Sequence, residues 1–295
     1  MSNAASHVAV LIANPVNPVL NEALIARAGA LLPGAASPRI LNPGIAAEIE
    51  FSGDADIEAI RAALDAPVDV ALLPAANRRK RLFLADMDST MIGQECIDEL
   101  ADYAGMKEHV SAITERAMRG EIAFESALRE RVALLKGLPL SVVDQVIADR
   151  IRLTPGGTAL VRTMRANGAY TMLVSGGFTL FTNRVATTIG FDADRANLLL
   201  TEGEHFAGAV AEPILGREAK LATLVEMRDK LGLMPADTMA VGDGANDLAM
   251  LGEAGVGVAY HAKPQVAASA HVRIDHADLT ALLYLQGYSS DDFIA

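Results

Sequence analysis

Apolar residues fall into two rhythms along this chain, and the points where one gives way to the other mark its elements. Short runs with little polar interruption predict buried strands over Val8 to Ala13, Val68 to Leu73, Leu82 to Ala85, Tyr170 to Val174, Thr238 to Val241 and Val256 to Tyr260. Spacings of three and four predict helices over Val19 to Leu32, Asp54 to Leu64, Phe178 to Ile189, Arg217 to Leu231 and Leu279 to Leu285. Glycines punctuate several ends, at Gly168, Gly190 and Gly232. Thr154-Pro155 reads as a helix start, with a capping hydroxyl and proline in the first position. Arg39 to Leu41 and Ile45 to Phe51 predict two strands joined through Asn42-Pro43-Gly44, and His271 to Ile274 a further one. Leu198 to Val210 has hairpin character around Glu202-Gly203-Glu204.

These elements divide the chain. Residues 1–76 hold the order β-α-β-β-α-β, that of a split ferredoxin-like unit, which resembles the ACT-type regulatory domains. Residues 77–295 form a larger domain. From Thr154 onward strands and helices alternate, which implies a parallel sheet with helices on both faces. Residues 93–152 interrupt this core, leaving it as 77–92 and 153–295, and read as helix throughout. Ile97, Leu100 and Ala104 mark one apolar face, and Phe124, Leu128, Val132 and Leu135 another. Ser141 with Asp144 resembles an acidic capping box opening the last of these helices.

Composition narrows the classes. The chain has 295 residues, enough for two domains, and its net charge of -12 argues against a binder of nucleic-acid backbone. The basic run Asn77 to Arg81 is therefore read as a solvated linker. The lone Cys96 excludes an intrachain disulfide and a cysteine-rich zinc site. No apolar run reaches the roughly 20 residues of a membrane helix, and residues 1–7 lack the features of a signal peptide. A cytoplasmic protein with no nucleic-acid or membrane partner is expected. A second copy, met through the amino-terminal unit, is the candidate protein partner.

Three of the buried strands run into polar, glycine-rich loops: Asp86-Met87-Asp88-Ser89-Thr90, Ser175-Gly176-Gly177 and Gly242-Asp243-Gly244-Ala245-Asn246-Asp247. Parallel strands put all three at one sheet edge, where open α/β sheets bind ligands. A lone Asp-x-Asp is usually a turn, and a helical lysine such as Lys220 is usually solvated. Arg131 falls on the stripe of Phe124, Leu128 and Leu135, which fits a snorkelling side chain or a desolvated guanidinium awaiting a carboxylate. Glu95 fits a helix-start acid, Asp247 an acid placed by the helix dipole, and Cys96 a packed small residue.

The Asp-x-Asp-Ser-Thr stretch together with Gly-Asp-Gly-x-Asn-Asp resembles the haloacid dehalogenase-like phosphatases. The stretches Asp86 to Ala101 and Ala117 to Pro139 resemble the phosphoserine phosphatases among them. This likeness implies a Rossmann-like α/β core with a parallel sheet and a helical cap insertion, after a small α+β, ACT-like domain. It implies Asp86 as nucleophile and Asp88 as general acid and base, with Mg²⁺ held by Asp86, Asp243 and the carbonyl of Asp88. Lys220, Ser175, Gly176, Gly177 and Asn246 would bind the phosphate, and Asp247 would orient metal-bound water or hold Lys220. Glu95 would take a substrate ammonium and Arg131 a carboxylate, with Met118 and Phe124 covering the site. The substrate so implied is O-phospho-L-serine, hydrolysed in the last step of serine synthesis. The alternatives are a relative acting on another small phosphomonoester or transferring phosphate to an alcohol. An amino-acid sensor with a vestigial phosphatase is a third.

Overall fold

Two sheets of opposite construction carry most of the chain. The computed structural model describes residues 6–118 and 121–295, with the side chains of residues 117 and 118 outside the description. In the amino-terminal unit, β1 (His7–Ala13), α1 (Glu22–Gly29), β2 (Arg39–Asn42), β3 (Ala46–Phe51), α2 (Ile57–Leu64) and β4 (Val68–Pro74) follow one another. The four strands form an antiparallel sheet in the order β2-β3-β1-β4, the arrangement expected of the split unit. Both helices start later than their apolar pattern suggests. Asn21 and Asp56 take the cap positions and accept N–H bonds from Leu24 and from Glu58 and Ala59, so Val19 and Asp54 stay outside.

The second sheet opens with β5 (Leu82–Ala85), whose four residues are all buried. A tight turn at 87–91 leads to four cap helices, α3 (Cys96–Tyr103), α4 (Lys107–Met118), α5 (Phe124–Ala133) and α6 (Ser141–Asp149). The core resumes with α7 (Gly157–Ala166), β6 (Tyr170–Phe178), α8 (Thr179–Ile189), β7 (Ala193–Asn197) and the hairpin β8 (Leu199–Glu202) with β9 (His205–Val210). It closes with α9 (Arg217–Lys230), β10 (Thr238–Gly242), α10 (Leu248–Glu253), β11 (Val256–Tyr260), α11 (Pro264–Ser269), β12 (Val272–Ile274) and α12 (Ala281–Leu285). Six strands make a parallel sheet in the order β12-β11-β10-β5-β6-β7. Unbroken apolar runs suit these strands because helices cover both faces.

Several expectations need correction. Ser141 is the first helical residue of α6 rather than its cap, so no capping box with Asp144 forms. The helix after Thr154-Pro155 begins two residues late because Gly156 adopts φ +80°, and a Cβ there would lie 2.6 Å from the Thr280 nitrogen. Strand β6 continues through Ser175-Gly176-Gly177 to Phe178, with its pairing to β7 irregular after Val174. The pattern does not reveal β7, whose sequence Ala-Asp-Arg-Ala-Asn is polar because it forms the sheet edge. Nor is the basic run solvated throughout, although Asn77, Arg79 and Arg81 are exposed. Lys80 is buried and donates to the carbonyls of Asn77 and Ala236, and Arg79 stacks on Tyr288 at 4.1 Å. Arg78 joins Glu48 of β3 to the Tyr284 and Leu285 carbonyls of α12, tying the two units together.

Candidate active site

Strand β5 sits between β10 and β6, and its register sets the site. Ala85 pairs with Val241 on one side and Leu173 on the other. The next residues of all three strands therefore emerge at one level of one edge, which brings Asp86, Gly242-Asp243 and the segment from Val174 together. Asp86 is 4 % exposed and its Oδ1 accepts from the Met87 N–H at 2.7 Å. The turn at 87–91 then reverses the chain. Ser89 takes φ +54°, which a non-glycine residue adopts only under constraint. That turn brings the Asp88 carboxylate back over the edge.

Asp88 Oδ1 accepts the Cys96 N–H at 3.1 Å, and its Oδ2 lies 3.5 Å from the Ser175 hydroxyl. The Gly177 N–H donates to Ser175 Oγ at 2.8 Å. A Cβ on Gly177 would stand 2.9 Å from Asp88 Oδ2, so this glycine is a space requirement. Gly242 and Gly244 are equally constrained. A Cβ on the first would meet Asp247 Cγ at 2.3 Å, and on the second Asn246 Oδ1 at 2.3 Å.

Charge is concentrated here. Lys220 is fully buried, with Nζ at 2.7 Å from both Asp86 Oδ1 and Asp247 Oδ1. Burial alone would lower its pKa, but the attraction of the two carboxylates outweighs that and raises it. Asp86 nevertheless stays well above the usual carboxylate range, because burial and the neighbouring Asp247 together exceed what one ammonium offsets. Burial also lifts Asp243 to about 6, with Asp247 and Glu95 adding to it, and Asp88 to about 7, with Glu95 adding to it. Carboxylate oxygens of Asp86, Asp243 and Asp247 lie within 4.8 Å of one another. Closely set hard oxygen donors with excess negative charge and one buried ammonium among them fit a divalent cation such as Mg²⁺.

Above this floor lies a cavity of about 780 Å³, walled on the other side by the cap. Asp86, Asp88, Ser175, Gly176, Gly177, Asp243 and Asn246 line it from the core, and Glu95, Phe124 and Arg131 from the cap side. Glu95 begins α3 and accepts the Ser89 hydroxyl at 2.7 Å. Among the described residues, Arg131 makes one hydrogen bond, from Nε to the Ala127 carbonyl at 3.3 Å, which leaves its terminal fork for another partner. Burial lowers its pKa, and the charges of Asp98, Glu95 and Asp88 oppose this. Phe124 reaches over Gly176 and Gly216, where a Cβ would touch its ring at 3.6 and 3.5 Å.

Asp247 holds Lys220, one of the two roles expected of it, and also joins Asp86 and Asp243 in the acidic trio. Lys220 is buried between Asp86 and Asp247 and does not itself line the cavity. Asp88 contributes no carboxylate oxygen to that trio. The Met118 side chain lies outside the described residues. Asp98, Thr114 and Lys263 also line the cavity, although nothing in the pattern singles them out. Asp98 lies in the first turn of α3, three residues after the N-cap position held by Glu95. Lys263 follows the end of β11, a fourth strand at the same sheet edge.

A family model of haloacid dehalogenase-like hydrolases matches residues 83–252, more than half of the chain. The chain belongs to that family. The phosphoserine phosphatase of Polaromonas sp. is 47 % identical over 210 residues, covering 70 % of this chain and 89 % of its own. The crystal structure of a probable phosphoserine phosphatase from Vibrio cholerae matches with a TM-score of 0.78 at 31 % identity, over 98 % of this chain and 88 % of its own. A phosphoserine phosphatase solved as a phospho-aspartyl intermediate analogue matches with a TM-score of 0.65 at 38 % identity, over 70 % of this chain and 98 % of its own.

Proposed function

We propose that this protein hydrolyses O-phospho-L-serine to L-serine and inorganic phosphate through a covalent aspartyl-phosphate, the step that completes serine synthesis. The observation that carries the substrate is the shared cavity. Two phosphoryl-transfer carboxylates on the floor face an acid, Glu95, and the guanidinium of Arg131, whose terminal fork has no hydrogen-bond partner among the described residues, on the wall. One anion and one cation flanking a phosphate site suit a phosphorylated zwitterion, which a sugar phosphate is not. The similarity to enzymes named for phosphoserine supports the same reading.

In this reading Asp86 attacks phosphorus in line, forming an O–P bond as the P–O bond to serine breaks. Its Oδ1, anchored by Lys220 and the Met87 N–H, holds the carboxylate in place. Asp88 gives its proton to the departing serine oxygen, then accepts one from the water that displaces Asp86. An acid raised to about 7 by burial keeps a proton to give near neutrality. Ser175 with the Gly176 and Gly177 amides, and Asn246, would hold phosphoryl oxygens. Asp86, Asp243 and the Asp88 carbonyl would hold Mg²⁺, with Asp247 close enough to support it. When bound, that ion offsets the repulsion between the carboxylates and the phosphate. Residues 93–152 act as a cap that excludes water, on a core of 77–92 and 153–295, with 1–76 as an amino-terminal domain packed against that core.

Initial rates of phosphate release with O-phospho-L-serine, phosphothreonine, homoserine phosphate and glycerol phosphate, with and without an alcohol acceptor, test the reading. Phosphoserine should be preferred and free phosphate the product. Preference for glycerol phosphate, or transfer to the acceptor, would reject it.

A further inference from the structure

Lys263 has no part in the chemistry described so far, yet it is exposed and lines the cavity. Its backbone N–H donates to the Asp243 carbonyl at 3.3 Å, and its charge acts on the Asp243 carboxylate. The other lysine of the site is fully engaged, Lys220 being buried between two carboxylates. A phosphate dianion entering past Asp86, Asp88, Glu95, Asp98 and Asp243 meets strong repulsion, and a cation at the wall lowers it.

The chain leading into Lys263 is held from a distance. His261 has φ +42°, a conformation that surrounding contacts must impose. Its N–H donates to the Ile274 carbonyl at 2.8 Å, and its Nε2 lies 2.9 Å from the Ala277 carbonyl, which requires the ring proton on that nitrogen. Residues 275–277 are in turn gripped by the amino-terminal unit. Asp69 of β4, 4 % exposed, accepts the N–H groups of Asp275 at 2.8 Å, His276 at 3.2 Å and Ala277 at 2.8 Å. Asn14, just after β1, donates to the His276 carbonyl at 2.7 Å.

We infer that the amino-terminal unit is part of the active-site scaffold: Asn14 and Asp69 position His261 through the 275–277 loop and thereby hold Lys263 as a phosphate-attracting cation. The inference rests on the phosphatase reading above. A cation that meets the incoming dianion and the transition state alike affects KM and leaves kcat alone.

The test uses the full chain, measuring KM and kcat for O-phospho-L-serine alongside amide hydrogen exchange. Lys263→Ala should raise KM about tenfold with kcat within about twofold. Asn14→Ala, and independently Asp69→Asn, should raise KM about threefold and speed exchange at the amides of His261 and Lys263 as well as at 275–277. Combined with Lys263→Ala, Asn14→Ala should add nothing further. Multiplying effects in the pair, an unchanged KM in Lys263→Ala, or an unchanged KM in both Asn14→Ala and Asp69→Asn, would overturn the inference. Loosening confined to 275–277 would overturn it too. If the parent releases no phosphate from phosphoserine, the functional reading fails, and the exchange at His261 and Lys263 still decides the coupling.

Discussion

Asp88 illustrates how closely single residues are specified at the site. One of its oxygens faces the Cys96 N–H, and the other has only the room that Gly177 leaves. Gly177→Ala should therefore lower kcat by more than about tenfold, because a shift below 1 Å misplaces the acid, while costing little stability. Equal activity with an unchanged melting temperature would show that the space is not needed. Arg131→Ala should cost phosphoserine about 100-fold in kcat/KM, the worth of one charge-assisted pair, and glycerol phosphate far less. Similar losses on both esters would remove Arg131 from carboxylate recognition. Asp86, Asp88 and Asp243 were legible in the sequence because each follows a buried run and carries a short-range pattern. Lys263 was not, because its role depends on β11 lying beside β10, a tertiary fact.

At the scale of elements, the ends of β5, β6 and β10 assemble the floor and the helical insertion supplies the wall. The register of β5 does this with four residues. The inner strands were readable because a sheet buried on both faces demands unbroken apolar runs, whereas the polar edge strand β7 was not. Helix starts were less so, since the apolar stripe runs past the residue whose side chain caps, as at Asn21 and Asp56. The docking of the cap was not readable at all. Hairpin strand β9 and the residue before it meet the cap segment 137–140 through backbone bonds, Gly137 N–H to Phe206, Phe206 N–H to Leu138 and Leu140 N–H to Glu204, all at 2.9 Å. Close approach there depends on Gly208, at φ +75°, where a Cβ would lie 2.7 Å from Lys136 Cβ. Gly208→Ala should destabilise the protein by about 1–3 kcal/mol in urea unfolding, from backbone strain and that clash. A change under about 0.5 kcal/mol would mean that the hairpin and cap separate freely.

Across the whole molecule, the amino-terminal unit is joined to the catalytic sheet by buried polar contacts rather than tethered by a flexible linker. Glu48 is 5 % exposed and pairs with Arg39 at 2.6 Å and Arg78 at 2.5 Å. Arg78 reaches on to α12, and Asp69 grips the loop after β12. Removing one member leaves a half-buried charge without its partner. Glu48→Ala should therefore cost about 2–3 kcal/mol, reduced from the fully buried case because Arg39 is largely exposed. Urea denaturation followed by circular dichroism measures this, and an unchanged midpoint would show that the joint bears no load. The order of elements in residues 1–76 was visible from the sequence. The joint was not, because the basic run at 77–81 carries no mark distinguishing buried cations from solvated ones.

If Asp86 performs metal-assisted phosphoryl transfer on a phosphorylated amino acid, phosphate release from O-phospho-L-serine depends on both Asp86 and Mg²⁺. Release is measured for the parent and Asp86→Asn with Mg²⁺ and again after chelation. The parent should turn over with Mg²⁺ and stop on chelation, and Asp86→Asn should lose at least about 10³-fold in kcat. Release that survives chelation, or an Asp86→Asn variant with parental kcat, would exclude that chemistry.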